Sequence, residues 1–206
     1  MTAGTRRIVR RAAVAAYVAM GAALIGLVTI ALFFWIGQPW GTLNDVAVLV
    51  MTLAVAPLML AFWELGGLTP TPLALAAQAL GWIAVLTWGV IHAIFILGAL
   101  QFDYAARATG GLAVEAVAQV VIGLWIAGAN LLAGRWLGWQ RWLGVVTGLG
   151  WALVGAGLIA GGMSHPLSWA GGIGYLLLFP VWAFLMGRLL SAMARDAGIP
   201  QPAPAR

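Results

Sequence analysis

The chain contains no cysteine and no lysine, and only five of its 206 residues are acidic. Without cysteine there is no disulfide, no thiolate metal site and no cysteine nucleophile to build. Charged residues of both signs amount to 7%, whereas a soluble domain carries about 25% to keep its surface in water. A water-soluble globular domain is therefore excluded. What takes the place of charge is apolar side chain, at 64% of the sequence with a mean hydropathy of +1.03. The solvent of such a chain is lipid.

Catalytic signatures are missing as well. No zinc-binding H-E-x-x-H, phosphate loop or G-x-S-x-G elbow occurs. Asp103-Tyr-Ala-Ala-Arg107 resembles the opening of the membrane phosphatidyltransferase motif, but the further aspartates that hold that family's metals do not follow. Ser164 and His165 are adjacent in sequence, which places them badly to act as nucleophile and base. Haem would need paired histidines at one depth. His92 reads as lying inside a span and His165 as lying in a loop, so the expectation is no cofactor, no metal and no enzyme.

Six apolar stretches reach or approach the roughly 20 residues that cross a 30 Å hydrocarbon core: 12–36, 46–65, 73–100, 112–134, 142–160 and 167–187. They are continuous rather than alternating, and in lipid only helices or closed barrels satisfy their backbone groups. The expected fold is an all-α, polytopic transmembrane bundle of six spans over residues 1–195, with a disordered tail over 196–206. The breaks hold turn residues, from Gly37-Gln38-Pro39 to Gly161-Gly162 before Pro166. The first run is too long for a signal peptide, whose apolar region is about 7–15 residues.

Charge sets the orientation. With the N-terminus inside, Arg6, Arg7, Arg10, Arg11, Arg135, Arg141, Arg188, Arg195 and Arg206 fall on inner segments and only Arg107 falls outside. This is the positive-inside pattern, and it places both termini in the cytoplasm of a bacterial inner membrane. Trp35, Trp40 and Trp169 mark outer span ends, and Trp63, Trp136, Trp139 and Trp142 mark inner ones, as interfacial belts do. Small residues at four-residue spacing (Gly123/Ala127, Gly144/Gly148, Gly157/Gly161) allow close helix approach. Pro57 and Pro180 each remove one helical hydrogen bond.

The segments Arg6-Arg7-Ile-Val-Arg10-Arg11, Gly134-Arg-Trp-Leu-Gly-Trp-Gln-Arg-Trp-Leu-Gly144 and Pro180-Val-Trp-Ala-Phe-Leu-Met-Gly-Arg188 resemble small bacterial membrane proteins of six or seven spans, classed as domains of unknown function. That resemblance implies the topology and carries no site residues with it. A short internal match, Gly66-Gly-Leu-Thr-Pro-Thr-Pro-Leu73 against Gly161-Gly-Met-Ser-His-Pro-Leu167, resembles the inverted halves of transporters. The match is short, and chance similarity between common membrane residues is the better account of it.

Ionisable groups inside spans are costly and mark functional candidates. Glu64 and Glu115 sit near span ends, and His92 sits deeper. With the third span running to Leu100, His92 falls roughly 13 Å below its outer end. Gln119 on the next, antiparallel span reaches a similar depth, and Glu115 stacks one turn above it. His92, Glu115 and Gln119 are thus the candidate polar site, opening toward Asp45, Asp103 and His165. Two readings stand. One is a non-enzymatic multi-pass protein, an orphan or an accessory subunit of a membrane complex, in which these groups fix helix packing. The other is a transporter for a small solute or a proton. The expected partners are the lipid bilayer, other membrane proteins or further copies of the chain, and not nucleic acid.

Overall fold

The structure is a computed structural model that describes residues 1–66, 71–98 and 107–196, with the side chains of 134, 135 and 196 left aside. Asp103, with the rest of 99–106, and the tail from 197 lie outside the described residues. Among the described residues seven helices follow in order: α1 Ala3–Ile36, α2 Trp40–Leu65, α3 Pro72–Ile96, α4 Gly110–Leu132, the single turn α5 Gly134–Leu137, α6 Gln140–Gly161 and α7 Pro166–Asp196. All but α5 are long and apolar enough to cross a membrane. The chain is a multi-pass helical protein.

The helices exceed the apolar runs where polar residues can join them at low cost. The arginine-rich start is helical because Thr2 caps it, its Oγ1 accepting from the Thr5 N–H at 3.1 Å. α2 begins at Trp40, so Asp45 stands on a helix rather than in the preceding loop. α3 starts from Thr71, which accepts from the Ala74 N–H, with Pro72 in its first turn. Its last helical residue is Ile96, which brings His92 to about 6 Å from the helix end, shallower than a span reaching Leu100 would make it.

Around the bundle the helices touch their sequence neighbours, and α7 returns to α1, closing a ring α1–α2–α3–α4–α6–α7. On that return Tyr17 of α1 packs edge-on against Phe184 of α7, with ring centroids 6.2 Å apart. Two seams of this ring are held by glycine. A Cβ at Gly148 would come within 2.5 Å of the Ala127 nitrogen, and one at Gly171 within 2.5 Å of the Gly150 carbonyl. At the first, α6 lies backbone to backbone against α4; at the second, it does so against α7. Such approach is what drives helix association where lipid removes the hydrophobic incentive. The spaced small residues of the sequence serve these intramolecular seams: Gly123 meets Gly148 and Ala152, Gly144 meets Asn130, and Gly157 meets Ser168.

The axis of the ring is filled by aromatic side chains. Trp88 meets Trp151 at 4.9 Å, Trp151 meets Phe179 at 5.2 Å, Phe179 meets Trp182 at 5.6 Å and Trp182 stacks on Phe62 at 6.4 Å. The outer surface carries exposed apolar residues such as Val28 on α1, Ile83 and Leu86 on α3, and Leu124 on α4. That inversion of the soluble pattern is what a lipid-facing surface requires.

Candidate functional site

At the end of the bundle opposite the chain termini, α2, α3 and α4 each contribute one ionisable side chain to a single line. His92 is at the centre, its Nδ1 3.0 Å from Asp45 Oδ1 and its Nε2 3.7 Å from Glu115 Oε1. The line forms because all three residues stand one to two turns from the helix ends here: Asp45 five residues into α2, Glu115 five into α4, and His92 four before the end of α3. At 1.5 Å per residue these are depths of about 6–8 Å.

Exposure falls along the line. The Asp45 side chain is 20% exposed, that of His92 5% and that of Glu115 3%. The outer carboxylate thus borders the surface while the inner one is shut in. Gln119, one turn below Glu115, donates from Nε2 to Glu115 Oε1 at 3.1 Å, as side chains four apart on a helix can. Trp88 closes the base: its ring lies edge-on to His92 at 5.3 Å, and its indole N–H is turned toward Glu115 without completing a hydrogen bond. Glu115 Oε2 and His92 Nε2 are likewise buried without a hydrogen-bond partner. A buried carboxylate and imidazole with unfilled bonding capacity are the atoms between which a proton can be held or exchanged.

The protonation logic follows from the donor inventory. An imidazolium donates from both nitrogens and satisfies both carboxylates, while neutral imidazole donates from only one. If Nδ1–H serves Asp45, Nε2 offers a lone pair to Glu115, and the contact is attractive only when Glu115 carries the proton. A single proton placed on Nε2 or on the carboxyl would make this 3.7 Å contact attractive. With the charged pair at 3.7 Å, the gross Coulomb attraction is about 4–5 kcal/mol at an effective dielectric of 20. Desolvation of both groups cancels much of that.

The structure therefore brings His92, Glu115 and Gln119 together and adds Asp45 to them. His165 goes elsewhere: its Nδ1 accepts from the Leu167 N–H at 3.3 Å at the start of α7. Glu64 is exposed in the last turn of α2. Two amide sites, one half-buried at Gln78 and one buried at Asn130, had not been singled out in the sequence. Gln78 of α3 accepts from the Trp125 indole at 3.1 Å and reaches the Met59 carbonyl of α2 at 3.5 Å. Asn130 of α4 accepts from the Trp182 indole at 3.0 Å and donates to the Ile126 carbonyl at 2.8 Å. Their signal was available in principle, because an amide within a span must find a partner. Beside Gln78, a cavity of about 120 Å³ lies between α2, α3 and α4, lined by Phe62, Trp63, Ala77 and Trp125 among others.

No protein-family profile, curated protein or solved structure matches this chain. Its chemistry is read from its own geometry.

Proposed function

We propose that this protein is a non-enzymatic, proton-coupled carrier of the bacterial inner membrane, with both termini cytoplasmic and His92, Glu115 and Asp45 as its proton-binding groups. The observation that carries the reading is the carboxylate–imidazole–carboxylate line itself, graded from a surface-bordering Asp45 to a sealed Glu115. Ionisable groups at such a position are retained against a cost of desolvation, and the shared proton gives that cost a use. Gln119 holds the Glu115 carboxylate in place. The orientation rests on the arginine distribution, nine inside to one outside, which puts the site at the periplasmic end.

A carrier is favoured over a channel because the groups below His92 on the axis are aromatic: Trp88, Trp151, Phe179 and Trp182. A proton held at this end needs a movement to be released at the other.

The test is proton flux in proteoliposomes with an entrapped pH-sensitive dye, driven by an imposed pH gradient. Flux above that of empty liposomes, lost in His92→Phe and Glu115→Gln while both variants remain folded, is the expected result. Flux no greater than in empty liposomes refutes the reading. Unchanged flux in destabilised variants instead assigns the triad to helix packing, as in an accessory membrane subunit.

A further inference from the structure

The six helices are not held in the ring by the same forces. α4, α6 and α7 meet through glycines at backbone distance, and such a seam has no slack. α3 is fastened differently, by polar side chains at two levels. At the outer level His92 faces Asp45 of α2 on one side and Glu115 of α4 on the other. At the inner level Gln78 reaches the Met59 carbonyl of α2 and accepts from Trp125 of α4. The two residues are fourteen apart, within about 40° of the same helix face, so both latches point into the bundle. Between them α3 packs through Gly81 against the flexible Met59 side chain and the Trp125 ring, and through Gly89 at ordinary van der Waals distance from Thr52. Leu80, Ile83, Leu86 and Val90 on its other face are exposed, and the cavity beside Gln78 leaves its inner half under-packed.

We infer that α3 is the moving element of this bundle, and that the proton shared by His92 and Glu115 decides whether it is docked between α2 and α4. The inference rests on the proton-coupled reading above and supplies its movement. With the proton present, Nε2 and Oε1 attract each other and the outer latch is closed. Once it leaves, a lone pair on Nε2 faces a carboxylate in a site closed to water, and two carboxylates flank one neutral imidazole. The contact between α3 and α4 then turns repulsive. Gln78, with one weak and one good hydrogen bond to neutral partners, does not titrate and acts as the pivot.

The groups that bear on the latch come from every neighbouring helix. α2 brings Asp45, α4 brings Glu115 and α7 brings Tyr175, which lies within electrostatic reach of Glu115 and directs its hydroxyl to Met51 Sδ at 3.6 Å. Arg107, ahead of α4, is turned away onto the Ile159 carbonyl at 2.9 Å. The titrating side chain of α6 is Arg141, at its opposite end.

Because the chain has no cysteine, spin labels can be placed without prior substitution. A Leu86→Cys/Leu149→Cys pair reports α3 against α6, and a Leu124→Cys/Leu149→Cys pair reports the glycine-locked α4 against α6. In nanodiscs, the 86–149 distance should lengthen by about 2 Å or more, the scale of helix shifts, as pH is raised through the site's titration. The 124–149 distance should stay constant. In Glu115→Gln, whose neutral amide can donate to an unprotonated Nε2 or accept from a protonated one, α3 should remain docked throughout. A constant 86–149 distance overturns the inference, as does a shift that survives in Glu115→Gln. A static α3 in a chain that still carries protons refutes only this inference, whereas absence of proton flux refutes the reading beneath it.

Discussion

Replacing Gly148 by alanine adds one methyl group at a place where the structure leaves none. The new Cβ would lie 2.5 Å from both the Ala127 nitrogen and the Gly123 carbonyl oxygen and 3.0 Å from the Ala127 Cα, against 3.4–4 Å for ordinary contact. All three obstacles are backbone, so no rotamer relieves them. α6 must retreat from α4 by about 1 Å, loosening the Gly123–Gly148–Ala152 seam along its length. Overpacking of this kind costs about 1–3 kcal/mol, beyond the roughly 0.5–1 kcal/mol that alanine returns in helix propensity. Gly172→Ala is the internal control, because a Cβ there meets nothing within 4 Å and only the propensity gain remains. Thermal unfolding in mild detergent, followed by tryptophan fluorescence, should show Gly148→Ala melting below wild type by up to about 10 °C, the net cost taken at 2–4 °C per kcal/mol. Gly172→Ala should melt at or above wild type. Equal stability of the two variants would refute the backbone-contact account of the α4–α6 seam.

Other outcomes follow from the polar contacts. Asn130→Leu strands the buried Trp182 indole N–H and should destabilise by about 0.6–1.7 kcal/mol, the range for polar pairs in membranes; Trp182→Phe in the same background should then add almost nothing. Gln78→Leu should cost a similar amount and leave proton flux measurable, since it alters the pivot and not the proton site. A C-terminal fusion should be active when the reporter is green fluorescent protein and inactive when it is alkaline phosphatase, given nine arginines on the termini-bearing side; the reverse result would invert the site's orientation.

The spans were legible because a 20-residue apolar run has few alternatives in lipid. Equal depths on antiparallel neighbours pointed to His92 opposite Gln119; because α3 ends at Ile96 rather than Leu100, His92 instead lies level with Glu115, one turn above Gln119. Asp45 fell outside the span because the apolar run begins at residue 46, yet the helix starts five residues before Asp45, at Trp40. Hydropathy registers the polar residue and is blind to a helix that carries it inward toward a histidine. The Gln78–Trp125 and Asn130–Trp182 bonds were hidden for a different reason. Each joins residues about fifty positions apart, and a helix that is apolar all round gives no stripe from which to deduce its inward face. The same uniformity concealed which of the many glycines pack against backbone.

The aromatic column through the middle of the ring determines which routes remain for anything crossing this protein. Trp151, Phe179 and Trp182 are each shielded from solvent, so the centre line is plugged by rings that would have to swing aside together. For a carrier as proposed above, passage would run along the periphery, along the walls where α3 abuts its two neighbours, and a compound that wedges itself from the lipid into either of those walls should then block flux without ever occupying the middle.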